Sequence, residues 1–145
     1  MVKLLVDADG CPVVNEAIAK AREYGVPVLL LCDTSHEMQR EGAETIVVSK
    51  GADSADFALV NRVGKGDIVV TQDYGLAAMV LAKRGVPIDQ NGRVYTDDNI
   101  GSLLGSRHVA KKIRQGGGRL KGPKKRRPEQ NERFEESLEE LLKNI

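Results

Sequence analysis

Tryptophan is absent from these 145 residues, and two phenylalanines and three tyrosines are the whole aromatic content. So few planar side chains argue against a base-stacking platform as the main binding surface. Cysteine is nearly as scarce. Cys11 and Cys32 have no C-x-x-C spacing and no histidine cluster around them, so neither a zinc site nor a disulfide framework is indicated. Both thiols are expected to stay reduced, with Cys11 buried and inert. His36 and His108 lie far apart and have no evident partners. No apolar run approaches the roughly 20 residues that span a bilayer, and Met1-Val2-Lys3 leads straight into a strand without a signal-peptide core. The expectation is a cytoplasmic protein with no membrane partner.

Charge is plentiful and unevenly placed. Residues 1 to 106 carry 10 Lys and Arg against 15 Asp and Glu, whereas residues 107 to 128 carry 10 basic residues and no acid. The last stretch, 129 to 145, has 2 basic and 6 acidic residues, and the whole chain nets +1. A basic block beside an acid-rich body suits a protein that handles a polyanion near a metal site, although a solubilising tail would look similar.

Apolar runs bounded by turn residues alternate with helical patterns, the signature of βαβ units. Strands are expected over 3–6, 26–32, 45–48, 68–71 and 86–88, the last an edge strand compatible with Pro87. Helices are expected over 12–24, from 53 or 54 to about 63, over 73–84 and from 96 to about 115, with a short helical turn near 35–40. Gln90-Asn91-Gly92 reads as a turn and Val94-Tyr95 as a minor strand. The fold class is therefore α/β: one three-layer domain over 1–115 with a mostly parallel sheet of about five strands. A basic linker and an amphipathic helix follow over 116–145. Phe134, Leu138, Leu141 and Leu142 line one side of that acidic helix, which could fold back on the basic stretch or form a homodimer contact.

In an open parallel sheet, ligands sit beyond the carboxyl ends of the strands, where the winding direction reverses. Asp7 and Asp9 follow strand one, Asp73 follows strand four, and Asp53 and Asp56 open the helix after strand three. Asp67 begins its strand and belongs to the opposite edge. Acids without histidine or cysteine suit Mg²⁺ or Mn²⁺ and phosphoryl chemistry. Each acid taken singly also has a structural reading as a helix cap: Asp9 before Pro12, and Asp53 and Asp73 at helix starts.

Three motifs, Asp7-Ala8-Asp9-Gly10-Cys11-Pro12, Gly51-Ala52-Asp53-Ser54-Ala55-Asp56-Phe57 and Gly66-Asp67-Ile68-Val69-Val70-Thr71-Gln72-Asp73-Tyr74-Gly75-Leu76-Ala77, closely resemble the YaiI/YqxD family of uncharacterised bacterial proteins. The resemblance covers nearly the whole chain, and that family is regarded as related to PIN-like nuclease domains. It implies a PIN-like fold and a divalent-metal site in which Asp7, Asp53 or Asp56, and Thr71 with Asp73 match the PIN acids in kind and order. A further PIN acid after strand four has no counterpart among Tyr74, Gly75, Leu76 and Ala77, and Asp9 would stand in for it.

The resulting expectation is a metal-dependent nuclease, on RNA rather than DNA, with Asp7, Asp9, Asp53, Asp56 and Asp73 catalytic. Asp7, Asp53, Asp56 and Asp73 would bind Mg²⁺ or Mn²⁺. The phosphate backbone would be met by Lys111, Lys112, Arg114, Arg119, Lys121, Lys124, Lys125, Arg126 and Arg127. Two alternatives stand beside it. One is a non-catalytic PIN-like module that binds RNA or protein. The other is a haloacid-dehalogenase-like phosphatase using Asp7, Asp9 and Thr34, for which the later acidic pair is incomplete. Lys50 and Asn99 are further candidates for supporting the site.

Overall fold

In the computed structural model, which describes residues 1–34, 37–48, 54–105 and 125–145, five strands form one all-parallel sheet. They are β1 (Leu4–Asp7), β2 (Val28–Asp33), β3 (Glu44–Val48), β4 (Ile68–Val70) and β5 (Val86–Ile88), in the order β3-β2-β1-β4-β5. The helices are α1 (Val14–Glu23), α2 (Ser54–Val60), α3 (Tyr74–Ala82), α4 over 97–105, and α5 (Pro128–Lys143). After β1 the chain winds outward through β2 and β3, then crosses back to place β4 on the other side of β1. The winding reverses between β1 and β4, and that is where the crevice opens.

Strand alternation builds the layers. Leu4 and Val6 pack with Val28, Leu30, Ile68, Val70 and the buried face of α1, while Leu5 points the other way, into Leu31, Val69, Leu59, Leu76 and Val80 beneath α2 and α3. Every residue of Leu4-Leu5-Val6 is 0% exposed, as an unbroken apolar strand in a two-sided sheet requires. The first layer also takes Phe134, Leu138 and Leu142 from α5, so the amphipathic face read as a fold-back or dimer contact is used up within the chain's own core. A homodimer through those side chains would first have to strip α5 from the sheet.

Several element ends differ from expectation for local reasons. β2 starts at Val28 because Pro27 has no N–H for the ladder, and its carbonyl instead accepts from Leu4 N at 2.9 Å. β1 and β2 each run one residue further, to Asp7 and Asp33, so the acids lie on the sheet itself. Residues 37–40 are not helical, and 35–36 lie outside the described residues, as do 49–53 and 106–124, on which the rest of the helix expected to about 115 falls. Val94 makes a single antiparallel bridge to Ile88. Among the described residues no helix is long and apolar enough to cross a membrane.

Asp67 sits at the opposite edge, as expected, and is nearly buried, at 2% exposure. Lys3 Nζ lies 2.6 Å from Oδ2, and the N–H groups of Gly64 and Lys3 donate at 2.8 and 3.0 Å. Burial alone would raise its pKa, but the Lys3 ammonium and these backbone donors outweigh it and hold the carboxyl below its ordinary value. Its stabilisation is therefore present above the unfolded carboxylate pKa and is lost as pH falls through the lowered one. Asp67→Asn is expected to cost about 2 kcal/mol at neutral pH. Urea melts of both proteins should converge on acidification.

Candidate active site

The crevice is built around Asp7. β1 and β4 are paired with Val6 opposite Val70, which sets Asp7 beside Thr71 just past the end of β4. Thr71 is buried and its hydroxyl donates to Asp7 Oδ2 at 2.9 Å while accepting from Asp73 N at 3.0 Å. The Thr71 carbonyl accepts from the Tyr95 hydroxyl at 3.1 Å. Burial pushes the Tyr95 hydroxyl far up, so it keeps its proton, and the ring packs edge-on against Tyr74 with centroids 6.0 Å apart. One threonine thus ties together Asp7, the start of the α3 loop and the buried tyrosine behind them.

The other acids divide by role. Asp73 is the N-cap of α3, its Oδ1 accepting from Gly75 N at 2.8 Å and Leu76 N at 3.2 Å. The capping reading therefore holds for one of its oxygens. It fails for Asp9: α1 starts at Val14 with Val13 as cap and no side-chain cap bond, and Asp9 Oδ2 instead accepts from Asp33 N at 3.2 Å. Asp9 is held across the ends of β1 and β2, facing the site. Asp56 lies in the first turn of α2.

These carboxylates act on one another. Burial pushes the Asp7 carboxyl up to about 6; the Thr71 hydrogen bond opposes this, and the charges of Asp56, Asp9 and Asp73 add to it. Beside Asp7, Gln72, Asp73 and Tyr74 line an open depression of about 420 Å³. Deeper in, Asp7, Asp9, Cys11, Thr71 and Gln90 line a cavity of about 30 Å³, the size of a water molecule. Burial pushes the Cys11 thiol up to about 11, which makes it the inert thiol expected.

Asp7, Asp9, Asp56 and Asp73 are therefore brought to one edge. Asp53 and Lys50 lie outside the described residues, as do His36, His108, Lys111, Lys112, Arg114, Arg119, Lys121 and Lys124. Among the described residues no group of three or more His, Cys, Asp or Glu side chains is arranged to hold a metal ion. Asn99 does not serve the site: its Oδ1 accepts from Thr96 N at 2.9 Å and its Nδ2 donates to Val94 O at 3.0 Å, fixing the start of α4. The phosphatase alternative gains nothing, since Asp67 is committed to Lys3 at the far edge.

Three residues escaped the sequence reading. Asp33 ends β2 just as Asp7 ends β1, a signal that was available in the apolar run before it. Gln90, from the turn after β5, and Arg133, from an acid-rich helix, had no local signature.

Lys125, Arg126 and Arg127 precede α5. The Arg126 guanidinium donates to Asn91 Oδ1 at 2.7 Å, Gln90 O at 2.6 Å and Asn131 Oδ1 at 2.7 Å, clamping the 89–92 turn to α5. Its charge reaches the Cys11 thiol, so basic segment and acidic crevice adjoin.

Comparison with known proteins agrees with the motifs. The family model described as uncharacterised BCR, YaiI/YqxD family, matches residues 5–144. A UPF0178 protein of Exiguobacterium sibiricum is 55% identical over 141 residues, 97% of this chain and 96% of the relative. A UPF0178 protein of Clostridium acetobutylicum is 46% identical over 143 residues, covering 97% of each. No solved structure matches the chain significantly. With the match running nearly end to end, the chain belongs to the YaiI/YqxD family.

Proposed function

We propose that the acidic edge hydrolyses phosphodiester bonds in RNA with the help of a divalent cation, Mg²⁺ or Mn²⁺. One observation carries the reading: carboxylates from three separate segments converge electrostatically on Asp7 at the point where the sheet's winding reverses. Mutual repulsion among carboxylates is costly, and a bound cation relieves it. The donors are all hard oxygens, which fits these ions.

In this reading Asp7, Asp56 and Asp73 would hold the cation, with Asp53 as a further ligand, and when bound it would supply a water of lowered pKa and offset charge on the leaving oxygen. Thr71 fixes the Asp7 carboxylate through its hydroxyl, and the protonated Tyr95 keeps the Thr71 backbone in place. Asp9, steadied by Asp33 N–H, orients the attacking water and accepts its proton.

Incubating single-stranded RNA with the protein and Mn²⁺ or Mg²⁺, beside Asp7→Asn and Asp73→Asn, tests the proposal. Both variants should lose cleavage by at least about 100-fold. Asparagine caps a helix as well as aspartate does, so Asp73→Asn should melt like the wild type, whereas Asp73→Ala should lose about 1 kcal/mol. Cleavage that survives both asparagine variants would belong to a contaminant and sink the reading. A second reading, a binding module without catalysis, is favoured by the lack of a three-acid cage among the described residues, and RNA binding without cleavage in all three proteins would select it.

A further inference from the structure

Between the 89–92 turn and the start of α5 lies a cleft of about 390 Å³ whose lining includes Lys125, Arg126, Arg127 and Arg133 and, among the described residues, no acidic side chain. Gln90 and Asn91 form the opposite wall. None of the four cations is in a salt bridge with a described carboxylate, although α5 is rich in glutamate. Arg126 is pinned by neutral amide and carbonyl oxygens, which fix its position and leave its charge uncompensated. Lys125, Arg127 and Arg133 are exposed around it. Four like charges held around one concavity favour an anion there.

Gln90 joins this cleft to the catalytic edge. The same residue lines the small cavity shared by Asp7, Asp9 and Thr71, so the basic cleft and the acidic crevice are neighbours on one surface. A small free anion would use the cleft and ignore the crevice. A polyanion crossing both would have successive phosphates at the two places, and the cations would offset the repulsion it meets from the acids.

We propose that this cleft is a subsite for the phosphodiester backbone of a single RNA strand, gripping phosphates that flank the bond presented to Asp7. Arg127, Arg133 and Lys125 contact phosphate, and Arg126 is a positioning residue that holds the turn against α5. The role assigned to the flanking position rests on the hydrolytic reading above; the binding itself does not.

The test uses the full chain and a short fluorescein-labelled single-stranded oligoribonucleotide, with anisotropy read in EDTA so that cleavage cannot interfere. The double variant Arg127→Gln/Arg133→Gln should bind about tenfold more weakly, and its dependence of log K on log salt should be shallower by about 1.4, the value for two phosphate contacts on a single strand. Both side chains are exposed, and an unchanged melting temperature checks the fold. Lys83→Gln, at the end of α3, removes one charge elsewhere and should leave binding as it was. Equal affinity and equal slope in wild type and double variant would overturn the proposal. So would an equal loss with Lys83→Gln, which would mean diffuse charge alone. With Mn²⁺ present, the double variant should raise KM and leave kcat unchanged, and a fall in kcat at constant KM would overturn the flanking role. A wild type that binds through the cleft in EDTA and cleaves nothing with Mn²⁺ would overturn the hydrolytic reading and leave the cleft as a binding site.

Discussion

Asp7→Asn is expected to make the cation-free protein more stable by about 2 kcal/mol above pH 6 while removing cleavage. The carboxyl sits at about 6 in the folded chain against an ordinary 3.8, so the native state binds this proton more tightly than the unfolded state does. A raised carboxyl pKa favours the fold at low pH, and that advantage is lost as pH rises through 6. Asparagine has no proton to lose, and its amide oxygen can accept the Thr71 hydrogen bond in place of Oδ2. The gain over wild type should therefore open between pH 4 and 6 and stay level above. The figure is discounted from the full conversion of the shift because Asp7 is only partly enclosed. Adding Mg²⁺ should raise the melting temperature of wild type and not of the variant, closing the gap by mass action. A variant no more stable than wild type at pH 7.5 would mean the acids do not strain the fold.

Gly92→Ala is expected to cost about 3 kcal/mol, from backbone strain and overpacking together. Gly92 has a φ of +89°, and a Cβ there would lie 2.6 Å from the carbonyl oxygen of Arg133 and 2.8 Å from Ser137 Oγ. The clash is with the backbone of α5, which cannot swing aside as a side chain would, because Phe134 and Leu138 anchor it at 0% exposure. Gly10 provides the control. Its φ is +69°, but a Cβ there meets nothing within 4 Å, so Gly10→Ala should cost about 1 kcal/mol. Gly92→Ala should also weaken RNA binding, since the turn and α5 are the two walls of the basic cleft. Denaturant melts of the two variants side by side, with RNA titrations, check both points; equal losses would mean that conformation alone matters at these positions.

The sheet and its acidic edge were legible because their signals are local. Five apolar runs separated by helical patterns give the strands, and an acid at the end of a run has few other places to be. Asp7 and Asp73 were placed by that logic alone. Asp9 was not: helix cap and site residue have the same signature in Asp9-Gly10-Cys11-Pro12, and the choice depends on the Asp33 amide, 24 residues away. The amphipathic stripe of α5 was equally readable, but a stripe says which side is apolar and not what covers it. The basic cleft depended on still more distant partners. Arg126 meets Gln90 and Asn91 across 36 and 35 positions, and Arg133 is a lone cation among glutamates until α5 is laid against the turn.

The docking of α5 also sets the order in which the protein can mature. Tyr24 and Glu139 are 115 positions apart, yet a hydrogen bond of 2.9 Å joins them where α5 crosses α1. Phe134, Leu138 and Leu142 close the layer that covers Leu4 and Val6. A growing chain can pair all five strands on the ribosome and still have that side of the sheet only partly covered, by α1, because the α5 side chains that complete the layer are synthesised long after β5. The acids at the sheet edge would be gathered early and the wall that Arg127 and Arg133 give the basic cleft would be added last.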